Sequence, residues 1–269
     1  MKKEIKKFLS KLLPSGYFKE RIKLVIYRMN KAKNVDFDVI KNEDEKIVFK
    51  TTYNDLSFYT IEGLYTIVAD FDYYQHFYKV KEGDFVIDAG ANVGNIALLF
   101  SKKVGKNGMV FCFEPDQFNI DFLNESFRLN PDLPKNWKVY DLLLWNENTQ
   151  LDFQEAGTVG SSAVWFSDQA NLVKKEAVTM DSWSKLHNLD RLDFIKMDIE
   201  GAEIEALEGC IEIIEKFKPN FAIASYHIVN NEPTYIKLEQ FFKKIGYPYK
   251  TITFRGNEII TFAGPTIQK

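Results

Sequence analysis

The spacing of apolar and polar positions changes several times along the chain, and each change predicts an element. Ile5, Phe8, Leu9, Leu12 and Leu13 recur at helical spacing among Lys2, Lys3, Lys6, Lys7 and Lys11. Residues 2–13 therefore read as a short amphipathic helix, closed by Pro14 and Gly16. A second amphipathic stretch covers 18–29, and residues 47–50 and 51–59 read as short strands. From residue 85 onward, apolar runs of strand length alternate with helical segments. Strands are predicted at 85–88, 109–114, 137–144, 192–197 and 220–226, with helices at 92–104, 117–129, 182–189, 202–217 and 234–245. Residues 145–180 interrupt the alternation with β pieces at 151–154, 163–166 and 177–179 around Gly157, Gly160, Ser161 and Ser162, which suggests an inserted hairpin region. Residues 249–254 and 258–262, flanking Arg255-Gly256-Asn257, read as a terminal hairpin.

Strand–helix alternation implies parallel strands joined by right-handed crossovers. The expected fold is a doubly wound α/β domain with a mostly parallel seven-stranded sheet. N-terminal helices precede it and an antiparallel hairpin closes it. The expected division is an N-terminal helical, basic appendage over residues 1–50 and one domain over 51–269. In such a sheet, ligands bind outside the carboxyl ends of the strands, where the strand order reverses.

Charge changes the picture at the N-terminus. Residues 1–33 hold nine Lys, two Arg and two Glu, a net of +9, so residues 34–269 carry −12 to reach the overall −3. An acidic body argues against a general nucleic-acid binder, which needs a basic face. The basic amphipathic start suits either docking on an anionic membrane surface or packing against the main domain or a second copy of the chain. Cys112 and Cys210 have neither disulfide nor metal spacing. No apolar run reaches the ~18 residues that span a bilayer, and no secretory signal opens the chain. The expected location is the cytoplasm, peripheral to the membrane if the basic segment docks there.

Candidate chemistry gathers at the strand ends. The first strand of the alternation runs into Asp88-Ala89-Gly90-Ala91-Asn92-Val93-Gly94. Gly90 permits a tight turn and Gly94 a close approach, and the turn opens a helix whose N–H groups would face a ligand carboxylate. The spacing differs from the dinucleotide G-x-G-x-x-G. Asp88 suits a ligand bearing ammonium or sulfonium charge. Glu114, at the end of the second strand, can accept ribose hydroxyls. Chain turning alone would also explain the glycines, and charge compensation at a helix start would explain Glu114. Taken together, the two strand ends favour a nucleoside cofactor, with Asp141 after the third strand as the adenine-side candidate. The fourth strand carries Lys196 and ends at Asp198, followed by Glu200 and Glu203. The fifth is followed by His227, which should lie beside Asp198.

Three segments together resemble the FkbM-type methyltransferases: Val86-Ile87-Asp88-Ala89-Gly90-Ala91-Asn92-Val93-Gly94, Phe113-Glu114-Pro115, and Ile195-Lys196-Met197-Asp198-Ile199-Glu200-Gly201-Ala202-Glu203. Gly160-Ser161-Ser162 is similar to a serine-containing loop of that family. Where many members carry a Glu two residues before the histidine, this chain has Ser225. The resemblance covers about residues 72–230. It implies a class I, Rossmann-like fold, S-adenosylmethionine as cofactor, and O-methylation of a hydroxyl on a sugar or a polyketide-like product. A nucleotide-linked or polysaccharide sugar of surface-glycan biosynthesis is the expected acceptor.

Two arrangements of the same residues fit methyl transfer. In one, His227 is a general base oriented by Asp198. In the other, Asp198, Glu200 or Glu203, and His227 hold Mn²⁺ or Mg²⁺ that acidifies the acceptor hydroxyl; the preferred ligand set is Asp198, Glu200 and His227. Lys196 is a further catalytic candidate, through Asp198, Glu114 or the substrate. A non-catalytic sugar-nucleotide-binding protein would need the glycine turn but no acid–histidine cluster. A nucleotide-sugar dehydrogenase or epimerase would need motifs this chain lacks.

Overall fold

The computed structural model describes residues 16–28, 35–42, 44–64, 70–157, 161–164, 171–254 and 257–267. The helix predicted at 2–13, Gly160, the hairpin tip Arg255-Gly256 and the part of the 163–166 β piece beyond Val164 lie outside them. By its contacts the chain divides into two compact units, Met1–Asp70 with Arg128–Pro131, and Phe71–Phe127 with Asp132–Lys269. The smaller unit thus reaches Asp70, whereas the sequence pattern placed a boundary at residue 50.

The smaller unit packs α1 (Tyr17–Arg28) on a three-stranded antiparallel sheet, β1 (Val35–Lys41), β2 (Ile47–Tyr53) and β3 (Leu56–Thr60). Strand β1 was not anticipated, although Val35, Phe37 and Val39 alternate with half-buried positions at a period of two. Leu24 of α1 closes a small core with Phe37, Val39 and Phe49. The Arg21–Asp38 and Arg28–Asp36 ion pairs lie beside it. One face of the basic helix is therefore committed to its own unit, while Phe18 (70% exposed) and Val25 (63%) remain outside.

The larger unit begins with a short helix, α2 (Asp70–Tyr73), and then builds the doubly wound sheet. Its strands are β4 (Phe85–Ala89), β5 (Met109–Phe113) and β6 (Trp137–Tyr140), interleaved with α3 (Asn95–Val104) and α4 (Gln117–Arg128). Next come β7 (Leu143–Leu144), β8 (Thr149–Glu155), β9 (Asn171–Val178), α5 (Met180–Leu186), β10 (Phe194–Met197), α6 (Glu203–Glu208), α7 (Ile211–Phe217) and β11 (Asn220–Ala224). The chain closes with the two-residue strands β12 (Ile228–Val229) and β13 (Glu232–Pro233), then α8 (Thr234–Lys244), β14 (Tyr249–Thr253) and β15 (Ile259–Ala263). The sheet order is β14-β15-β11-β10-β4-β5-β6. All pairs from β11 to β6 are parallel, and β15 is antiparallel to both neighbours. The order reverses between β4 and β10, the ligand crevice of such sheets.

Three differences from the sequence pattern have local causes. The third strand stops at Tyr140, and Leu143–Leu144 leave the main sheet to pair with β9, forming a separate sheet β7-β9-β8. The helix expected at 202–217 is broken into two where Gly209 closes α6 and Cys210 (φ −129°) leaves helical backbone; a Cβ on Gly209 would fall 2.1 Å from the Trp145 carbonyl oxygen, so the position admits only glycine. The helix expected from residue 92 starts at Asn95, because Asn92 (φ 50°) and Gly94 (φ 88°) take left-handed backbone. Among the described residues, no helix is long and apolar enough to cross a membrane.

Candidate functional site

The turn after β4 is built from inside. Gly90 has φ +72°, and a Cβ there would lie 1.8 Å from the Asp198 carbonyl oxygen, so only glycine fits. The N–H groups of Gly90 and Ala91 donate to the Phe113 carbonyl, that of Asn92 to Glu114 Oε2, that of Val93 to its neighbour's Oδ1 and that of Gly94 to the Ala91 carbonyl. The turn's N–H groups are thus spent on the end of β5, on Glu114 and on the turn itself, whereas the sequence pattern predicts donors aimed at a ligand. The orphan N–H groups of α3 begin one turn later.

Asp88 does not face a ligand, as the sequence suggested it would. It is fully buried, and its Oδ1 lies 3.0 Å from Lys196 Nζ on the neighbouring strand. Parallel register makes Lys196 and Asp88 direct partners. Lys196 also donates to the Gly90 carbonyl at 2.6 Å and is only 4% exposed. Burial pulls its pKa down, but Asp88 and Asp198 push it up further, and the ammonium keeps its proton. Lys196 therefore props the turn from below and has no free face for an acceptor.

Glu114 lies where the sequence placed it, just past β5 and beside the turn. Its Oε2 accepts the Asn92 N–H at 2.7 Å; its Oε1 accepts the Asp116 N–H at 3.0 Å and Asn119 Nδ2 at 3.2 Å. A carboxylate has about four lone-pair sites, which leaves one for a hydroxyl. Burial raises Glu114 to about 7, although those hydrogen bonds oppose the shift. Asp141 follows β6 with its carboxylate held by Lys175 Nζ at 2.9 Å; no hydrogen bond among the described residues joins it to Glu114 or the turn.

Beyond β10 the chain folds back sharply. Glu200 adopts φ 54° and Gly201 φ 101°. Fully buried Glu203 at the start of α6 returns its Oε1 to the N–H groups of Ile199 (3.3 Å) and Gly201 (3.2 Å). This bend brings Asp198 and Glu200 to His227, which follows β11. His227 Nε2 lies 3.6 Å from Asp198 Oδ1 and 3.5 Å from Glu200 Oε2, while Nδ1 lies 2.9 Å from Glu203 Oε1. Burial alone would lower the imidazole pKa, but Glu203, Asp198 and Glu200 together raise it to about 9. Without a cation the ring is then protonated at neutral pH and has no lone pair to take a proton from an alcohol. The donor set, oxygen with one imidazole, suits Mn²⁺ or Mg²⁺.

Three contributors carried no motif. Tyr74 donates its hydroxyl to Asp198 Oδ2 at 2.9 Å. Asp116, buried, accepts from Ser161 Oγ at 2.7 Å and from the N–H groups of Ala156 and Gly157, tying the serine loop to the start of α4. Its position after Pro115 at a helix start was the available signal. Glu258, before β15, is raised by burial and then by Asp198, with His227 opposing, so the terminal hairpin lies within the field of the cluster. Ser225 knits β11 to β15, taking Thr261 Oγ1 at 3.0 Å and donating to the Ile259 carbonyl.

Residues 88–249 match the family model described as the methyltransferase FkbM domain. Hexuronic acid methyltransferase AglP of Haloferax volcanii is 24% identical over 151 residues, which are 55% of this chain and 58% of that protein. The 2-O-methyltransferase NoeI of Sinorhizobium fredii is 23% identical over 155 residues, 51% of this chain and 61% of that one. The chain thus spans about three fifths of the length of these two relatives. The crystal structure of methyltransferase FkbM from Methylobacillus flagellatus superposes with a TM-score of 0.53 at 20% identity, covering 70% of this chain and 45% of that one; a likeness at this identity speaks for the fold alone.

Proposed function

Because this chain belongs to the FkbM methyltransferase domain family, we propose that it transfers a methyl group from S-adenosylmethionine to a hydroxyl of a saccharide. The observation that carries the reading is the pairing of two strand ends at the switch point: Glu114 hydrogen-bonded to the Gly90–Gly94 turn, and the Asp198–Glu200–His227 cluster at the end of adjacent β10 and β11. The saccharide is favoured by the names of two relatives, a hexuronic acid methyltransferase and a 2-O-methyltransferase.

S-adenosylmethionine supplies an electrophilic methyl on a sulfonium. Glu114 would hold a ribose hydroxyl, the turn carrying Gly90, Asn92 and Gly94 would run beside the cofactor, and Asp141 is the adenine-side candidate. Asp88 and Lys196 serve that site by fixing the turn. At the cluster, Asp198 and His227 would orient the acceptor hydroxyl, and the Asp198 carboxylate would take up its proton. Holding that hydroxyl in line is worth up to ~7–11 kcal/mol in ideal cases. A divalent cation, Mn²⁺ or Mg²⁺, at Asp198, Glu200 and His227 belongs to this reading, since it supplies acidification of the hydroxyl where a protonated imidazole cannot. We place the protein in the cytoplasm, with residues 1–33 docking on an anionic membrane surface or a second copy.

The test is calorimetry with S-adenosylhomocysteine, followed by incubation with S-adenosylmethionine and a panel of nucleotide-linked sugars, with and without Mn²⁺. Micromolar binding and a 14-dalton gain on a sugar are expected. Tight NAD binding with no S-adenosylhomocysteine binding would sink the reading; methylation confined to non-sugar metabolites would overturn its acceptor.

A further inference from the structure

We infer that Glu203 and Tyr74 are positioning residues that preset Asp198, Glu200 and His227 for a divalent cation. The inference rests on the cation in the reading above. It adds the groups behind the ligands, which decide whether the cluster is an organised site or a set of neighbouring charges.

The ligand atoms of Asp198, Glu200 and His227 lie within 4.8 Å of one another. Donors about 2.1 Å from one ion, at 90–110° to each other, stand roughly 3.0–3.5 Å apart. The observed separations from His227 Nε2 are 3.5 and 3.6 Å. His227 is 8% exposed, and its Nε2 makes no hydrogen bond although it is aimed at both carboxylates. A buried ring nitrogen without a partner is costly. A cation between it and the two acids would give Nε2 and Asp198 Oδ1 a partner.

Glu203 explains why Nε2 is the nitrogen on offer. Glu203 Oε1 lies 2.9 Å from Nδ1 in a close ionic contact, although neither ring nitrogen makes a well-formed hydrogen bond. A carboxylate only accepts, so this contact favours keeping a proton on Nδ1, and with a cation bound Nε2 would offer its lone pair toward Asp198 and Glu200. Glu203 is itself fixed by the Ile199 and Gly201 N–H groups, on the same bend that carries Glu200. A carboxylate behind a ligating histidine orients the ring and raises its basicity. Tyr74 does the equivalent for Asp198. By occupying Oδ2 it turns Oδ1, which has no hydrogen-bond partner, toward His227.

The test is titration of the full chain with Mn²⁺, following the free-ion electron paramagnetic resonance signal. One saturable site is expected, lost in His227→Ala. Glu203→Gln keeps the volume and should weaken Mn²⁺ binding about 10–100-fold, and Tyr74→Phe several-fold. In both variants, S-adenosylhomocysteine affinity measured without cation should stay at the wild-type value. If Glu203→Gln does not fold, Tyr74→Phe carries the test together with nitrogen NMR of the three histidines in Mg²⁺-loaded protein, where His227 should hold its proton on Nδ1. Absence of saturable Mn²⁺ binding, wild-type Mn²⁺ affinity in both variants, or a proton on Nε2 would overturn the inference. Loss of S-adenosylhomocysteine binding with Mn²⁺ binding intact would strike the proposed function alone.

Discussion

Lys196 on β10 stands directly opposite Asp88 on β4, with its ammonium 3.0 Å from the carboxylate and 2.6 Å from the Gly90 carbonyl. An ion pair this deep costs desolvation that its own attraction barely offsets, but removing one partner strands the other. Lys196→Ala should therefore lower stability by about 3–5 kcal/mol in urea denaturation and weaken S-adenosylhomocysteine binding as the turn relaxes. Replacing both, Lys196→Met with Asp88→Leu, should restore most of the stability. If the double variant is as unstable as the single one, the pair has another role.

Glu114 gives the cofactor site a pH dependence. Burial places its pKa at about 7, above the ordinary 4.5. Its folded state therefore favours the neutral form, and stability from this group is greatest below the unfolded value and declines as pH rises toward 7. A ribose hydroxyl donates to the carboxylate, so ligand affinity should run the other way. It should rise up to about tenfold per pH unit below 7 and level off above 8. Calorimetry from pH 6 to 8 would show it, and Glu114→Gln should flatten the profile.

Ser161 offers a cleaner lesion. Its hydroxyl donates to buried Asp116 at 2.7 Å, and the same carboxylate oxygen holds the Ala156 and Gly157 N–H groups. Ser161→Ala removes one hydrogen bond to a charged group, about 1.5–3 kcal/mol. Limited proteolysis should show faster cleavage near 156–161, and the melting temperature should fall by several degrees, at roughly 2–4 °C per kcal/mol. Equal cleavage rates would mean that the backbone donors alone hold the loop.

The N-terminal helix divides its faces. Leu24 is 1% exposed in the small core, so removing residues 1–33 would open that core. Truncation of 1–15 should leave turnover on a soluble acceptor intact. It should reduce sedimentation with anionic phospholipid vesicles, and the loss should resemble that caused by high salt. A fall in turnover would instead assign the segment to the active site.

The sheet was legible because β4, β5, β10 and β11 are short, largely apolar runs, the last three each followed by a polar residue. Glu114, Asp198 and His227 stand out for that reason. Aligning the two parallel strands places Asp88 opposite Lys196. In sequence alone, an acid that ends a strand beside a ligand and an acid buried within a strand look alike. Tyr74, Asp116 and Glu258 reach the site from segments far apart in the chain, and no local periodicity encodes such meetings. Gly209, at the break between α6 and α7, is held to glycine by the Trp145 carbonyl, a contact across 64 positions of sequence.

The Asp198 carbonyl oxygen fills the space where a side chain on Gly90 would begin. The cofactor turn and the bend that carries the acid–histidine cluster therefore share one wall with no slack, and neither can shift without displacing the other. Such contact would make the occupancy of the two proposed places interdependent, and thermodynamic reciprocity fixes the form of that dependence: whatever factor Mn²⁺ applied to S-adenosylhomocysteine affinity, the nucleoside would apply to Mn²⁺.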